Sequence, residues 1–478
     1  MRVYNTASRS AEDFNPLKAD EVKLYTCGPT VYDYAQIGNL RAFVFDDTLR
    51  RVAEAAGYKV RHVMNITDVG HLVSDEDEGE DKLESGAARE HKTVWQVAEY
   101  YIDTFLQDAR QLNIQPPNAY KGPRGPYARA TDFIDEQIGL ISRLMEKGFA
   151  YQTEQAIYFD VSKLDDYGKL TGQKLSDKEV AARSDVITDS AKHHPQDFAL
   201  WFFRIGRFAD HSMHWESPWG DGFPGWHLEC SAIIHATLGE PIDIHTGGVD
   251  HIGTHHTNEI AQTEAAFGVP LANYWMHNEH LLVNGEKMSK SKGNYYTMAD
   301  VIAKGYPPLA LRLLFLQSHY RSQMNFSWES LTAAAKNLQN LQAMADLRFQ
   351  PNPDATVIGD DYFEQQQKLL LTDLENDLAT PAALAKLEQI ADHLMLSGIH
   401  PEHSLPPFNN FLQFLDKVFG LSLLASADIN HEHKQLIRQR ETARQQQDWR
   451  LADELRDELA EQGIELNDTP MGAVWRRA

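Results

Sequence analysis

A strand, a helix and a second strand in succession constrain the fold more than any other feature of this sequence. Apolar and polar residues alternate over residues 22–26 and again over residues 60–65, as in β-strands, and a helical pattern occupies residues 39–56 between them. Two strands joined by a helix form a βαβ unit, in which the strands lie parallel in one sheet. We therefore expect an α/β fold with a parallel sheet.

Composition sets wider limits. The 478 residues are enough for about three domains at ~150 residues each. No apolar run approaches the ~20 residues that cross a bilayer, and residues 1–5 carry no apolar signal segment, so we expect a cytoplasmic protein without a membrane partner. Two cysteines argue against a disulfide framework. The net charge of −24 excludes only a uniformly basic surface, because phosphate contacts depend on local patches.

Two local motifs point to chemistry. Residues 286–294 place Lys287, Lys290 and Lys292 in a polar loop that ends in glycine and asparagine, which suits a polyphosphate. A lysine run alone is usually a solvated basic turn. The second motif, residues 27–39, has the pattern of a strand end that turns into a helix start, and it closes with Gln36-Ile37-Gly38-Asn39.

Together the two motifs resemble the signatures of class I aminoacyl-tRNA synthetases, and the chain is similar to the cysteinyl-tRNA synthetases among them. The Lys-Met-Ser-Lys-Ser signature is kept in full at 287–291, whereas the usual His-Ile-Gly-His is altered at Gln36 and Asn39. The resemblance implies a class I Rossmann-like parallel sheet with an inserted connective domain, followed by a C-terminal helical bundle and a small α/β anticodon-binding unit.

We divide the chain accordingly. The predicted segments are the first half of the catalytic domain at 1–120, the inserted connective domain at 121–215, the second half of the catalytic domain at 216–305, the stem-contact and helical bundle domain at 306–430, and the anticodon-binding unit at 431–478. Residues 74–91 contain almost no large apolar side chains and are predicted to form a surface loop. Thr93 and Gln96 have the spacing of a capping box that begins a helix.

Four scattered residues are candidate metal ligands. Cys27 follows the first predicted strand, where open α/β sheets bind ligands, and Cys230 lies near a predicted helix start. His255 and Glu259 are four residues apart, on one face of a helix. Thiolate and imidazole ligands favour Zn²⁺, although such wide spacing is a weak pattern and an isolated cysteine is more often a small buried hydrophobe. The resemblance implies a zinc site at these four positions.

The resemblance also implies the binding residues for both small substrates. Thr67 and Trp226 match positions that line the cysteine pocket. Without the resemblance, Thr67 would be interpreted as a hydroxyl at a strand end and Trp226 as an aromatic side chain of the core. ATP, bound with Mg²⁺, is expected at Gly38, where a helix begins, and at the turn with Gly248 and Asp250. The expected catalytic residues are Lys290, assisted by Lys287, together with Gln36 and Asn39. Neutral Gln36 can donate a hydrogen bond to phosphate but cannot become cationic.

The C-terminal unit carries the expected tRNA contacts. Arg444, Trp449, Asp453 and Asp468 match family positions that bind the anticodon, and Trp449 can stack an unpaired base. Composition alone favours a different interpretation, a solvated amphipathic helix anchored by Trp449.

The sequence thus predicts a monomeric cysteine–tRNA ligase, which forms cysteinyl-adenylate from L-cysteine and ATP and transfers the cysteine to the 3′ end of tRNA(Cys). Two alternatives stay open. One is a cysteine ligase that acts on a small amino sugar. The other is a catalytically weak tRNA-binding paralogue, which the replacement at Gln36 suggests.

Overall fold

A computed structural model describes residues 1–69, 81–172, 189–289, 292–469 and 472–477. Its strands are β1 Arg2–Asn5, β2 Ser10–Asp13, β3 Glu21–Thr26, β4 Lys59–Ile66, β5 Ala128–Arg129, β6 Ala150–Gln152, β7 Ala156–Phe159, β8 Phe198–Phe203, β9 Gly222–Pro224, β10 Ile242–Gly248, β11 Ala272–Asn278, β12 Leu281–Val283, β13 Glu286–Lys287, β14 Met324–Phe326, β15 Ile464–Thr469 and β16 Gly472–Arg477. Its helices are α1 Ile37–Ala55, α2 Lys82–Glu90, α3 Val94–Gln111, α4 Ile134–Glu146, α5 Leu228–Thr237, α6 His255–Phe267, α7 Met298–Ala303, α8 Pro308–Leu316, α9 Trp328–Ala345, α10 Asp360–Leu374, α11 Thr380–Ser397, α12 Leu405–Phe419, α13 His431–Gln445 and α14 Trp449–Glu461.

A five-stranded parallel sheet in the order β11-β10-β3-β4-β5 forms the centre of the first of two compact units. Strands β3 and β4 pair in parallel over six residues and are joined by α1, which confirms the predicted βαβ unit and the α/β class. Strand β10 pairs in parallel with both β3 and β11, so the carboxyl ends of these strands share one edge. This edge is where such sheets bind ligands.

A separate antiparallel sheet has the order β6-β7-β8-β9. Strands β6 to β8 lie in the part of the chain predicted to be inserted, whereas β9 lies beyond residue 215, where the insertion was predicted to end. Strand β8 is buried along all six residues, and Trp201 on this strand is fully buried among apolar side chains of α4. Apolar side chains of α5 and α6 belong to the same cluster, so this sheet also packs against the helices that carry the predicted ligands. The five-part division of the chain stays a prediction, since the described contacts separate only two units.

The surface loop predicted for residues 74–91 is wrong over its second half, whereas residues 74–80 lie outside the described part of the chain. Asp81 accepts hydrogen bonds from the amides of Leu83 and Glu84 and so caps α2. Leu83 and Ala87, four residues apart, are buried on one face of this helix. The Asp81 cap and the packing of this face against α3 therefore stabilise a helix that has few large apolar residues. The capping box of Thr93 and Gln96 at α3 is confirmed.

The second unit comprises residues 299–319 and the chain from Phe326 onward. Helices α8 to α12 confirm the predicted helical region, and Arg312, fully buried, donates from Nε to the carbonyl of Phe419 at 2.7 Å. Helices α13 and α14 with the antiparallel pair β15–β16 form the small α/β unit at the end. Among the described helices, none is long and apolar enough to span a membrane.

Candidate functional site

A cavity of about 580 Å³ lies at the carboxyl ends of the parallel strands. The sheet contributes Cys27 after β3 and Gly248 at the end of β10, and Trp226 and Asp250 come from the segments that follow β9 and β10. Both sequence motifs border the same cavity, because Gln36, Gly38, Asn39 and Lys287 also line it. The structure therefore brings together residues that are up to 260 positions apart in the sequence.

The two motifs are in direct contact. The amide of Ile37, the first residue of α1, donates to the carbonyl of Tyr296 at 2.9 Å. A methyl group added at Gly38 would lie 2.8 Å from Cε of Met288, so only glycine allows this approach without movement of the methionine. Asn39 accepts a hydrogen bond from the amide of Gln36 at 3.1 Å. Its side chain is thus partly engaged in beginning the helix.

Gln36 has an unsatisfied polar atom at this point. Its Oε1 atom is buried and has no hydrogen-bond partner among the described residues. Buried polar atoms are normally paired, by protein or by a bound molecule. The unpaired atom is an acceptor, and the Nε2 amide of the same side chain is the group that can donate to a phosphate oxygen at the beginning of α1.

The lysine loop is described on both sides of Lys290, which itself lies outside the described residues. Lys287 is exposed and borders the cavity. Lys292 forms an ion pair with Glu286 at 2.9 Å, so its charge is partly neutralised within the loop. Asn294 closes the turn, since its side chain accepts from the amide of Ser289 and donates to the carbonyl of Lys287.

The four candidate metal ligands come together at one side of the cavity. One ligand atom from each of Cys27, Cys230, His255 and Glu259 lies within 4.8 Å of every other. Cys230 is the third residue of α5, and α6 carries His255 and Glu259 one turn apart. All four are at most 8% exposed. This arrangement is a possible metal-binding cluster.

Charge interactions in the cluster are strong because the groups are buried. Burial lowers the pKa of His255, but the charge of Glu259 and hydrogen bonds to Cys230 and Glu259 raise it to about 10. Burial raises the pKa of Glu259, yet the charges of His245 and His255 bring it down to about 2. Burial likewise raises the pKa of Cys230, and hydrogen bonds with Cys27 and His255 lower it to about 6. The imidazolium of His255 thus stabilises both the thiolate of Cys230 and the carboxylate of Glu259, while these two anionic groups repel each other.

Sequence reasoning missed several histidines around the cluster. His245 and His256 also place ligand atoms within 4.8 Å of those of Cys27 and Glu259. His245 Nε2 lies 2.8 Å from Glu259 Oε2, and His256 Nδ1 lies 2.8 Å from His277 Nε2. The signal was the density of histidines at positions 245, 251, 255 and 256, next to the strand and helix that carry the predicted ligands.

The two predicted cysteine-pocket residues have different surroundings. Trp226 stacks on the ring of His255, with centroids 4.4 Å apart, and lines the cavity. Thr67 is buried and donates its hydroxyl proton to Glu229 Oε2 at 2.7 Å. Glu229 is a second missed residue: its Oε1 atom is buried without a hydrogen-bond partner in the described part of the chain, and burial raises its pKa well above the usual range.

The predicted anticodon residues lie in the small C-terminal unit. Trp449 is the first residue of α14 and is 60% exposed. Asp468 on β15 forms ion pairs with Arg440, at 2.6 Å, and with Arg444. Hydrogen bonds from Arg440 lower the pKa of Asp468 to about 2. Asp453 forms an ion pair with Arg456 at 3.1 Å. The exposed tryptophan excludes the interpretation of Trp449 as a core anchor.

Comparison with solved structures defines the class of fold. The chain is similar to a Mycobacterium tuberculosis methionyl-tRNA synthetase in complex with methionyl-adenylate, with a TM-score of 0.59 and 16% identity over 85% of this chain and 93% of that one. A leucyl-tRNA synthetase from Agrobacterium radiobacter K84, in a ternary complex, gives a TM-score of 0.58 at 14% identity, over 86% and 84% of the two chains. The fold is that of the class I aminoacyl-tRNA synthetases.

Sequence comparison then defines the family. Residues 13–336 match the model of tRNA synthetases class I (C) catalytic domain, and residues 426–476 match that of the cysteinyl-tRNA ligase anticodon binding domain. A cysteine–tRNA ligase of Treponema denticola is 39% identical over 100% of this chain and 99% of its own length. Cysteine–tRNA ligase 1 of Burkholderia lata is 42% identical over 99% and 96%. The chain belongs to the cysteine–tRNA ligase family.

Proposed function

We propose that this chain activates L-cysteine with ATP and transfers it to the 3′ end of tRNA(Cys). The observation that carries the proposal is the buried set of two thiols, an imidazole and a carboxylate beside a cavity that both signature motifs border. Full-length similarity to cysteine–tRNA ligases supports the same activity. A binding set of this kind selects for sulfur, which is the atom that distinguishes cysteine from serine.

Zn²⁺ is the metal that the four residues fit best. Two cysteines with a histidine and a glutamate give the S and N donors that zinc prefers, and their ligand atoms are close enough for one ion. When bound, zinc supplies a soft Lewis acid that holds a thiol as its thiolate. Shape alone distinguishes substrates that differ by one small group by only about 1–3 kcal/mol, so selection of sulfur needs such a donor set.

The cysteine pocket lies between this set and the cavity. Trp226 closes one side and keeps His255 in place through ring stacking. Thr67 acts through its hydrogen bond to Glu229, which holds the segment after β4 near the cluster. In this proposal Trp226 contacts the substrate and Thr67 borders the pocket.

The adenylate forms at the beginning of α1. The carboxylate of L-cysteine attacks the α-phosphorus of ATP·Mg²⁺, the bond to the bridging oxygen breaks, and pyrophosphate leaves. Gln36 and Asn39 donate hydrogen bonds to phosphate oxygens, and Lys290 and Lys287 balance the charge that develops on pyrophosphate. Gly38 allows close approach of the nucleotide, while Gly248 and Asp250 hold the ribose. Positioning and charge stabilisation account for the rate without a covalent enzyme intermediate.

The C-terminal unit selects the tRNA. Trp449 stacks on an anticodon base, and Arg444, Asp453 and Asp468 hydrogen-bond to base edges or phosphates. The match of residues 426–476 to an anticodon-binding model disfavours a ligase for small amino sugars. Both motifs border the cavity together with Cys27, which belongs to the intact set of four candidate ligands, and this arrangement disfavours a catalytically weak paralogue. In this proposal the protein acts in the cytoplasm as a monomer.

A charging assay tests the proposal. Purified protein with zinc, ATP and radiolabelled cysteine is offered a tRNA(Cys) transcript, the same transcript with an altered anticodon, and an amino sugar. We expect acid-precipitable cysteine with the first RNA and at least about 5-fold less with the second, because each lost base contact costs about 1–3 kcal/mol. Transfer to the amino sugar instead, or no cysteine-dependent activation at all, would reject the assignment.

A further inference from the structure

A buried aspartate in the adenylate cavity has no role in the reaction described above. Asp46 lies on α1, is 2% exposed and lines the cavity together with Cys27 and Trp226. Gly38, Ala42 and Asp46 recur at intervals of four residues, so the cavity follows one face of the helix. Of the four carboxylates that the described residues contribute to this cavity, Asp46 alone is buried.

Asp46 is held in position by a single hydroxyl. Thr246, on β10, donates its hydroxyl proton to Asp46 Oδ1 at 2.6 Å, across 200 positions of sequence. Among the described residues, no lysine, arginine or histidine forms an ion pair or hydrogen bond with Asp46. Burial raises the pKa of this carboxyl to about 8, although the bond from Thr246 opposes the rise. A buried carboxylate without a cation is unfavourable, so the site is suited to a cationic ligand.

The neighbouring aspartate provides a contrast within the same helix. Asp47 is equally buried, but its Oδ2 atom accepts from Arg51 Nε at 2.6 Å and its Oδ1 atom accepts from the amide of Gln115 at 2.9 Å. Asp47 is thus a structural ion pair, fully satisfied within the protein. Asp46 has the same burial and one hydrogen bond from a neutral group. The difference lies in the cavity, which only Asp46 borders.

L-Cysteine is the ligand whose charges match this arrangement. Its thiol belongs at the Cys27 side of the cavity, and only Cα and Cβ separate its sulfur from its ammonium nitrogen. Asp46 is close to Cys27, because Thr246 contacts both: its hydroxyl donates to Asp46, and its carbonyl accepts from the amide of Cys27 at 3.3 Å. Both residues line the same cavity. A carboxylate at this position can therefore meet the ammonium group of a cysteine whose thiol is at the cluster.

We propose that Asp46, positioned by Thr246, binds the α-ammonium group of L-cysteine. The inference rests on the proposed function, because it takes cysteine as the occupant of the cavity. It adds a second basis for selection: the cluster selects sulfur and Asp46 selects an amino acid over other thiols. Thiols with a carboxylate and no ammonium group should then bind poorly.

A ligand that lacks only the ammonium group tests this assignment. Zinc-loaded protein and its Asp46→Asn variant are titrated calorimetrically with L-cysteine and with 3-mercaptopropionate, which keeps the thiol and the carboxylate. We expect cysteine to bind about 10- to 100-fold more weakly to the variant, as for the loss of one charged hydrogen bond. The affinity for 3-mercaptopropionate should not fall. The KM for ATP in pyrophosphate exchange should stay within about twofold.

Each other outcome overturns the assignment. An equal loss for both ligands means that Asp46 only maintains the local structure, and a rise in the KM for ATP alone means that it faces the nucleotide. An unchanged affinity for cysteine removes Asp46 from the pocket. Should Asp46→Asn fail to fold, the same titrations are made with Thr246→Val. We expect this variant to bind L-cysteine about 2- to 10-fold more weakly and 3-mercaptopropionate with unchanged affinity. Failure of the proposed function is distinct, since the unaltered protein would then show no cysteine-dependent exchange.

Discussion

Cys27, Cys230, His255 and Glu259 are at most 8% exposed, whereas Trp449 in the C-terminal unit is 60% exposed. The first four are fixed by a strand end and two helices and by short contacts with one another. Trp449 begins a helix and projects into solvent, in a unit whose charged groups Arg444 and Asp468 pair with each other. The four buried residues make most of their contacts within the protein, whereas Trp449 leaves most of its surface to solvent.

The comparison predicts different consequences of substitution. In a buried, mutually charged cluster, the loss of one member leaves the others without partners, so its effects are large and not additive. Exposed ion pairs and aromatic side chains contribute independently and modestly, because water replaces what is lost. The expected effects therefore decrease from the cluster through the signature motif to the C-terminal unit.

The largest effect is expected for Cys230→Ser. The substitution removes a soft ligand while keeping the shape of the side chain, so bound zinc should fall below half an equivalent per chain. Cysteine-dependent pyrophosphate exchange should fall by more than about 100-fold, beyond the 10–100-fold cost of losing an outer partner of a metal ligand. Metal analysis measures the bound zinc per chain, and exchange kinetics measure the rate of cysteine activation.

Ala232→Ser is the matched control, because it places the same hydroxyl on α5 with both thiols intact. Circular dichroism should show that both variants fold. Full zinc content and full exchange activity in Cys230→Ser would remove Cys230 from the cluster's function.

Gln36→Ala should have the second-largest effect. The loss of one donor to a phosphate oxygen is expected to slow cysteine activation by up to about 100-fold, and Gln36→His should be tolerated. The measurement is the rate of ATP–pyrophosphate exchange at saturating cysteine. An alanine variant at the original rate would show that the unsatisfied amide of Gln36 takes no part in the chemistry.

Trp449→Ala should affect only the RNA step. Removing a stacking surface costs about 1–3 kcal/mol per base, and for an exposed side chain we expect the lower part of this range, roughly 5- to 30-fold in kcat/KM for tRNA charging. Pyrophosphate exchange should stay near the original rate, since Trp449 is far in sequence from every proposed cavity residue. Trp95→Ala, at another tryptophan that is 44% exposed, controls for loss of an exposed aromatic side chain. Parallel losses in exchange and charging would indicate a folding defect instead.

Arg444→Ala should have the smallest effect, about 2- to 10-fold in charging. Asp468 keeps its two hydrogen bonds from Arg440, so the geometry of β15 survives the loss of Arg444. Arg440→Ala is the informative companion, because Arg440 is 6% exposed and holds Asp468 in place. A larger defect for Arg444 than for Arg440 would mean that the RNA contact of Arg444 outweighs that of Asp468, contrary to the expected order.

Local sequence patterns predicted those elements whose structure is determined by residues close to one another in the sequence. The βαβ unit follows from alternation and helical spacing, and the capping box of Thr93 and Gln96 is confirmed because both partners lie within one turn. Helix α2 was missed because its stability comes from the Asp81 cap and from packing against α3, neither of which produces a strong apolar pattern.

Contacts between distant residues could not be derived from such patterns. Asp46 and Thr246 are 200 positions apart, and only the packing of α1 against β10 brings them together. The same holds for His245 beside Glu259 and for Glu229 beside Thr67. The resemblance to a family supplied the four candidate ligands, whereas their buried histidine surroundings needed the three-dimensional arrangement.

The central claim is that cysteine is selected by a metal held at Cys27, Cys230, His255 and Glu259. Its most direct test is cysteine-dependent ATP–pyrophosphate exchange by one preparation in three states: as purified, stripped of metal by a chelator, and reloaded with one equivalent of Zn²⁺. We predict that exchange falls with the metal content and returns with zinc, and that serine supports no exchange in any state. Full exchange with cysteine in protein shown to be metal-free would contradict the claim.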